Sequence, residues 1–335
     1  MAKLRLAYID FMKGVCIMLI VMHHTDYTFF DSIAPNLDNA LQSFRVPMYY
    51  FLSGLFFKTY SGFPDFLRRK VNNLVVPLMF FHVIGYLVAA AMFPLLHPEA
   101  SFDWTGLLGP LYKRKWAYTM PLWFLMSLFE VNIIYYLMRQ YLSGYARLGI
   151  VAIISLLPIL LASNGVKLPL LLDTAFVGLP FFVLGTAVKN KGWLSAHRYD
   201  KWGLLVFPII AIIVYCFAGR IDILTQQFPG YVRLYVLPMA SILSLMWLCK
   251  NFRVRQGYRI PVIGYWGQYS LVVLGTHDWL LTPLDTMLAD MLLGSEWIAL
   301  LKWGITMVAM FVIIPIMIKL FPRFTAQAPL LPIKE

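Results

Sequence analysis

Lys13 and His24 are two residues able to carry charge or move a proton, and they lie eleven positions apart in the first apolar stretch. On an α-helix this spacing is about three turns plus roughly 20°, so both side chains point the same way, about 16.5 Å apart along the axis. Residues 14–22 between them are apolar apart from one glycine and one cysteine. An amine and an imidazole are costly in lipid and normally face a protein interior or a wet cavity. The pair therefore predicts chemistry inside a membrane.

Other polar residues are expected at matching depths on other apolar stretches. Asp10 lies one turn before Lys13 and can pair with it. The polar residues expected at matching depths on the other stretches are Arg45, Glu130, Asp173, His277 and Asp278. Taken singly, each has a structural explanation: a lysine that snorkels to the interface, a histidine that caps a helix, an arginine that anchors one. Two histidines, an arginine and carboxylates at one depth favour a functional site.

The composition indicates an integral membrane protein. Of the 335 residues, 60% are hydrophobic and 13% are charged, against about 45–50% and about 25% in soluble domains. We predict an all-α bundle of about ten transmembrane helices, with residues 1–335 forming one domain and no separate soluble domain. The expected spans are 10–30, 40–58, 72–96, 120–138, 146–162, 169–188, 202–218, 231–249, 262–283 and 297–320.

The net charge of +12 is distributed unevenly along this pattern. With the N-terminus inside, nineteen of the 28 lysines and arginines fall in inner segments and five in outer loops. Positive residues mark the cytoplasmic side, so both termini are predicted to be cytoplasmic. The charge then reflects topology and anionic lipid, and no nucleic-acid partner is expected. The three cysteines have no metal-ligand spacing, and no metal is expected.

Several segments resemble the membrane-bound acyltransferase-3 family. The family's first helix carries a basic residue, then ten residues, and then a histidine, and Lys13 and His24 match this pattern. The run FRVPMYYFLSGLFF (44–57) is similar to the family's F-x-x-P-x-F-F-F-x-S-G pattern, and FLRRKVNNLVVP (66–77) to its R-x-x-R-L-x-x-P stretch. In the latter, Lys70 and Asn73 take the two arginine positions. Further similarities occur at residues 121–125, 179–185 and 267–277, so the resemblance runs in order from the first helix to the ninth.

The resemblance implies a stand-alone O-acetyltransferase of the bacterial inner (plasma) membrane. It would move an acyl group from acetyl-CoA to a sugar hydroxyl of a surface or lipid-linked polysaccharide. A hydroxyl needs a base, and histidine, with an ordinary pKa of about 6.5, is the usual one. His24 is thus the expected base, or alternatively a transient acyl carrier.

The other expected roles follow the same scheme. Lys13, oriented by Asp10, and the cluster Arg68, Arg69 and Lys70 would bind the donor, although this cluster also fits a merely positive inner loop. His277 and Arg45 would stabilise the oxyanion or position the acceptor. Acceptor contacts are expected from Trp123, Glu130, Tyr27 and Asp278, although interfacial aromatic residues are common in membrane proteins anyway.

Two other functional classes fit the polar residues. A transporter or flippase for a glycan or lipid carrier also places polar groups at the midplane, but it commonly shows internal repeats, and the sequence shows none. A sensor or assembly scaffold would need no catalytic histidine. The acceptor sugar, the acyl chain and the oligomeric state are not specified by the sequence.

Overall fold

The computed structural model describes residues 6–25, 34–96, 99–112, 114, 116, 118–195, 199–251, 261–288 and 295–333. Helices account for nearly all regular structure in these ranges. The described residues contain no β-strand, and the single isolated bridge joins Asp222 to Gln227. The predicted all-α architecture is therefore confirmed for this part of the chain.

Fourteen α-helices are assigned within the described residues. They are α1 (Ala7–His23), α2 (Leu37–Leu55), α3 (Phe63–Lys70), α4 (Val76–Leu96), α5 (Gly109–Tyr112), α6 (Trp123–Tyr141), α7 (Gly144–Ile154), α8 (Leu157–Ser163), α9 (Leu172–Asn190), α10 (Gly203–Phe217), α11 (Tyr231–Asn251), α12 (Pro261–Gln268), α13 (Ser270–Met287) and α14 (Ser295–Leu320). A π-helical turn, Val71–Val75, joins α3 to α4 without a break.

Seven helical segments of the described residues are long and apolar enough to cross a membrane. They are Phe63–Leu95, Met120–Tyr141, Gly144–Ser163, Leu172–Asn190, Asp200–Phe217, Tyr231–Asn251 and Glu296–Leu320. The described residues of the other three predicted spans are mostly helical, but none of the three forms one long apolar helix. α1 has 17 described residues, α2 carries Asp38 and Arg45, and the 262–283 stretch is divided into α12 and α13 at Tyr269.

Glycines allow the helices that carry the site to approach closely. A Cβ atom on Gly54 would overlap the carbonyl oxygen of Phe182, and one on Gly185 would overlap that of Phe51, so α2 and α9 touch backbone to backbone. Gly14 and Gly267 have the same role between α1 and α12. Small residues at helix contacts are the usual device in lipid, where hydrophobicity does not drive helices together.

The C-terminal segment is fastened to the π-helical turn by Asn72, a buried residue. The Asn72 side-chain amide donates to the carbonyl oxygen of Leu331 at 2.9 Å. Its oxygen accepts from the backbone N–H groups of Leu330 and Leu331 at 3.0 and 2.8 Å. π-Turns often occur at functional sites, and this one lies between Lys70 and the start of α4.

We predict that Gly185→Ala destabilises the protein by about 1–3 kcal/mol, because the added methyl group forces α2 and α9 apart. The control is Gly149→Ala, since a Cβ at Gly149 meets no atom within 4 Å and alanine favours the helix. Thermal unfolding in detergent should show a lower Tm for Gly185→Ala only. Equal Tm values for the two variants would contradict the close contact.

Candidate active site

A cavity of about 280 Å³ lies among α1, α2, the π-turn, α6 and α13. Lys13, Lys70 and Asn73 are among its lining residues, and the part of the cavity that they border is here called the basic end. His24 also lines the cavity, and its eleven-residue separation from Lys13 places it about 16.5 Å further along α1; this is the histidine end. The sequence expectation that Lys13 and His24 face one interior space is thus met by the geometry.

The basic end is built by three backbone segments. Lys13 lies on α1, and its Nζ is 5.6 Å from the centre of the Phe56 ring. The hydroxyl of Tyr49 donates to the backbone carbonyl of Lys13 at 2.9 Å, which fixes α1 against α2. Lys70, at the end of α3, has its Nζ 5.5 Å from the centre of the Phe66 ring. Two amines therefore border one end of a largely apolar cavity.

At the histidine end, the rings of His24 and His277 have their centroids 5.3 Å apart. His277 is fully buried on α13, and its Nε2 lies 3.4 Å from Oδ1 of Asp278. Leu274, one turn before His277, lines the cavity. Two predicted histidines from distant parts of the sequence and one predicted carboxylate are therefore neighbours.

The hydrogen bonding of His277 determines what its ring can do. Its Nδ1 lies 2.9 Å from the carbonyl oxygen of Val273, an acceptor, so Nδ1 carries the proton. Nε2 of the neutral ring is then a lone-pair acceptor, and it is buried with no hydrogen-bond partner among the described residues. A neutral His277 in this tautomer cannot donate to an oxyanion. It is suited to accept a hydrogen bond or to bind a metal ion.

Arg45 lies in a separate charged group and does not line the cavity. It is buried, with Nη1 3.8 Å from Oδ1 of Asp38. Nδ1 of His23 is 3.9 Å from the same oxygen, and Gln42 donates to the other Asp38 oxygen at 2.6 Å. Asp38 is thus the ion-pair partner of Arg45, and this pairing fits a structural role near the N-terminal end of α2.

The cluster of basic residues on α3 divides into three different environments. Arg68 is exposed to solvent. Nε of Arg69 pairs with Asp65 at 3.0 Å, and its guanidinium lies 4.6 Å from the centre of the Tyr60 ring. Only Lys70 lines the cavity, together with Asn73 from the π-turn. These two residues occupy the positions at which the resemblance placed a pair of arginines.

Glu130 lies in a polar network between α6 and α9, away from the cavity lining. Its Oε1 accepts from the backbone N–H of Leu171 at 3.2 Å, and Oε2 has no partner among the described residues. Asp173 is nearby and pairs with Arg114 at 2.9 Å, and Gln226 donates to it at 2.5 Å. This network connects α6, α9 and two loops.

The other expected site residues are dispersed. Trp123 is buried and lines the cavity, whereas Asp278 lines a separate small recess with Trp279 and Tyr118. Asp10 lies one turn before Lys13 and is not among the residues that line the cavity. Tyr27 lies outside the described residues.

Three hydroxyl-bearing side chains of the lining were not expected from the sequence to belong to the site. Tyr49 and Ser53 come from α2 and Ser270 from the first turn of α13. Ser53 accepts from the buried amide of Asn132 at 3.2 Å, which holds its side chain in place. The break between α12 and α13 positions Ser270, and non-helical backbone at such a depth is tolerated where it lines a cavity. The Ser53-Gly54 pair in the 44–57 run was the sequence feature that could have indicated Ser53.

Comparison with known families agrees with this geometry. The chain folds as a helical, multi-pass membrane protein with an internal polar site. A family model for acyltransferase family 3, described as an acyltransferase domain, matches residues 6–319. The chain belongs to this family, and it is a membrane acyltransferase. The family assignment does not favour the transporter alternative. No curated protein and no solved structure matches the chain.

We predict that a thiol at Ser53 is reachable from water and that one at Ser127 is not. Ser53 lines the cavity, whereas Ser127 is fully buried and bonded to Tyr50 and Thr174. In a Cys216→Ala background, Ser53→Cys should react with a small charged thiol reagent at least about tenfold faster than Ser127→Cys. Similar rates measured by mass spectrometry would show that the cavity does not admit solutes.

Proposed function

We propose that this protein transfers an acyl group, normally acetyl, from acetyl-CoA to a hydroxyl group of a surface or lipid-linked polysaccharide. The donor enters at the basic end of the cavity, and the reaction takes place at His24. The observation that carries the proposal is the common cavity of Lys13, Lys70 and His24. An enzyme that transfers an acyl group from a charged donor to an alcohol needs positive charge to bind the donor and a base to activate the alcohol. Both must border the same cavity.

The basic end suits the donor. CoA carries several phosphate charges, and Lys70 and Lys13 provide two ammonium groups, with the Asn73 amide as a further donor. The acyl group lies at the far end of a long flexible arm. The separation of about 16.5 Å between Lys13 and His24 along α1 is similar to the reach of an extended pantetheine arm. The apolar lining between the two ends suits the aliphatic part of the arm.

The reaction can be written with His24 as general base. A ring nitrogen of His24 takes the proton of the acceptor hydroxyl as its oxygen attacks the thioester carbonyl carbon. The tetrahedral intermediate collapses, the carbon–sulfur bond breaks, and the CoA thiolate leaves. The proton passes from His24 to that thiolate, so that the products are an ester and the free thiol.

His277 and Asp278 position His24 in this scheme. Nε2 of His277 accepts a hydrogen bond, either from an N–H of His24 or from the acceptor hydroxyl, and Val273 holds the ring in that tautomer. Trp123 at the cavity wall offers an aromatic face to the sugar. Glu130, Arg45, Arg68 and Arg69 take no direct part, since none of them lines the cavity.

The proposed topology has ten membrane spans and both termini in the cytoplasm of a bacterium, with the protein in the inner membrane. The excess of lysine and arginine in alternate loops supports this orientation. The basic end then opens toward the cytoplasm, where acetyl-CoA is made, and the histidine end lies nearer the opposite face. The chain acts as one domain, without metal in the transfer step.

We predict that His24→Ala lowers kcat/KM for acetyl transfer by about 10²–10⁴-fold, the usual contribution of a general base. His23→Ala is the matched control, because His23 is exposed at the end of α1 and faces Asp38. The measurement is transfer from radiolabelled acetyl-CoA to polysaccharide by purified protein of equal thermal stability. Full activity of His24→Ala would eliminate the base assignment.

We predict that Lys70→Ala raises KM for acetyl-CoA by at least about tenfold, because a charge-assisted contact is worth about 1.5–3 kcal/mol. The value of kcat should change little, since the lost contact holds the donor equally in ground and transition states. Arg68→Ala is the control, because Arg68 is exposed and lies outside the cavity lining. Equal increases in KM for both variants would indicate only a general effect of positive charge.

A further inference from the structure

The cluster at the histidine end has the features of a metal-binding site. One ligand atom each of His24, His277 and Asp278 lie within 4.8 Å of one another. Two of the residues are consecutive on α13, and the third follows the last residue of α1. Imidazole nitrogen and carboxylate oxygen are the ligands that Zn²⁺ and similar ions accept, and His₂-carboxylate sets bind zinc with one position left open.

His277 is already arranged as a metal ligand. Its Nδ1 donates to the Val273 carbonyl, and a ligating histidine usually donates its second nitrogen in this way to fix the tautomer. The free lone pair on Nε2 is completely buried and has no hydrogen-bond partner among the described residues. A buried acceptor without a partner is energetically unfavourable, and a bound cation would satisfy it.

The distances require only a small adjustment. In a tetrahedral zinc site with bonds of about 2.0–2.2 Å, two ligand atoms are about 3.3–3.5 Å apart. Nε2 of His277 and Oδ1 of Asp278 are 3.4 Å apart. Because the three ligand atoms lie within 4.8 Å of one another, one ring nitrogen of His24 must move closer by up to about 1.4 Å. His24 can do so by rotation of its side chain, because it follows the last residue of α1 and is only partly buried.

We propose that His24, His277 and Asp278 bind a divalent transition-metal ion such as Zn²⁺, and that the bound ion blocks acyl transfer. The ion occupies the lone pair with which His24 would take the hydroxyl proton. Binding itself depends only on the three side chains, whereas the inhibition rests on the proposed function. Hard cations such as Mg²⁺ and Ca²⁺ should not bind, since they prefer sites made of oxygen ligands.

The binding test uses Co²⁺ as a probe, since cobalt in a four-coordinate site absorbs visible light much more strongly than hydrated cobalt. The full chain is purified without a polyhistidine tag and titrated in detergent. The wild type should develop visible bands that Zn²⁺ removes. His277→Asn should weaken binding at least about tenfold, whereas His23→Asn, the neighbouring histidine outside the cluster, should leave it unchanged. Absence of the bands, or equal binding by His277→Asn, would overturn the site.

The inhibition is tested in the acetyl-transfer assay. Addition of Zn²⁺ should stop transfer at the concentration that displaces Co²⁺, and a chelator should restore it, with Mg²⁺ having no effect. Full activity of zinc-loaded protein would overturn the inhibition and leave binding intact. Loss of activity with the chelator and its return with Zn²⁺ would instead make the metal essential and overturn the base role of His24. Activity of His24→Ala together with normal Co²⁺ binding to the wild type would refute the proposed function alone.

Discussion

The cost of placing an amine and an imidazole inside a membrane constrains the rest of this structure. A charged side chain facing lipid costs several kcal/mol at least, so Lys13 and His24 have to face an internal space. Because they lie on one side of α1, a single cavity can accommodate both, and α2, α6, the π-turn and α13 provide its other walls. The helices that face lipid most, such as α10, carry no residue of the site.

Close helix packing makes such a cavity possible. Glycines at the α2–α9 and α1–α12 contacts let backbones touch, so that side chains of α1 and α2 remain to line the cavity. The same helices are secured by bonds at the site itself, from Tyr49 to the Lys13 carbonyl and from Asn132 to Ser53. Asn72 fastens the C-terminal segment beneath the turn that bears Asn73. A change of position in any of these elements would alter the basic end.

The sequence predicted those parts of the site that follow from spacing along one helix. The eleven-residue interval placed Lys13 and His24 on one face of the first helix. The proximity of His24 and His277 was expected only because both residues were predicted to lie at a similar depth in the membrane. Contacts between elements were harder, because no spacing specifies them: Glu130 accepts from the backbone N–H of Leu171, the residue before α9. The partners of Arg45 and Arg69, Asp38 and Asp65, lie earlier on the same helices. The break at Tyr269 was missed because the 262–283 stretch has the length of a single membrane span and contains no internal proline before Pro283.

In the proposed reaction, the acyl donor enters at the basic end and extends to the imidazole of His24. A structure of the purified protein with a non-hydrolysable acetyl-CoA analogue tests this most directly. Phosphate groups are expected beside Lys70 and Asn73, with the acyl carbonyl carbon close enough to His24 for a hydroxyl to fit between them. An analogue bound elsewhere, with the cavity of Lys13 and His24 occupied only by water or lipid, would contradict it.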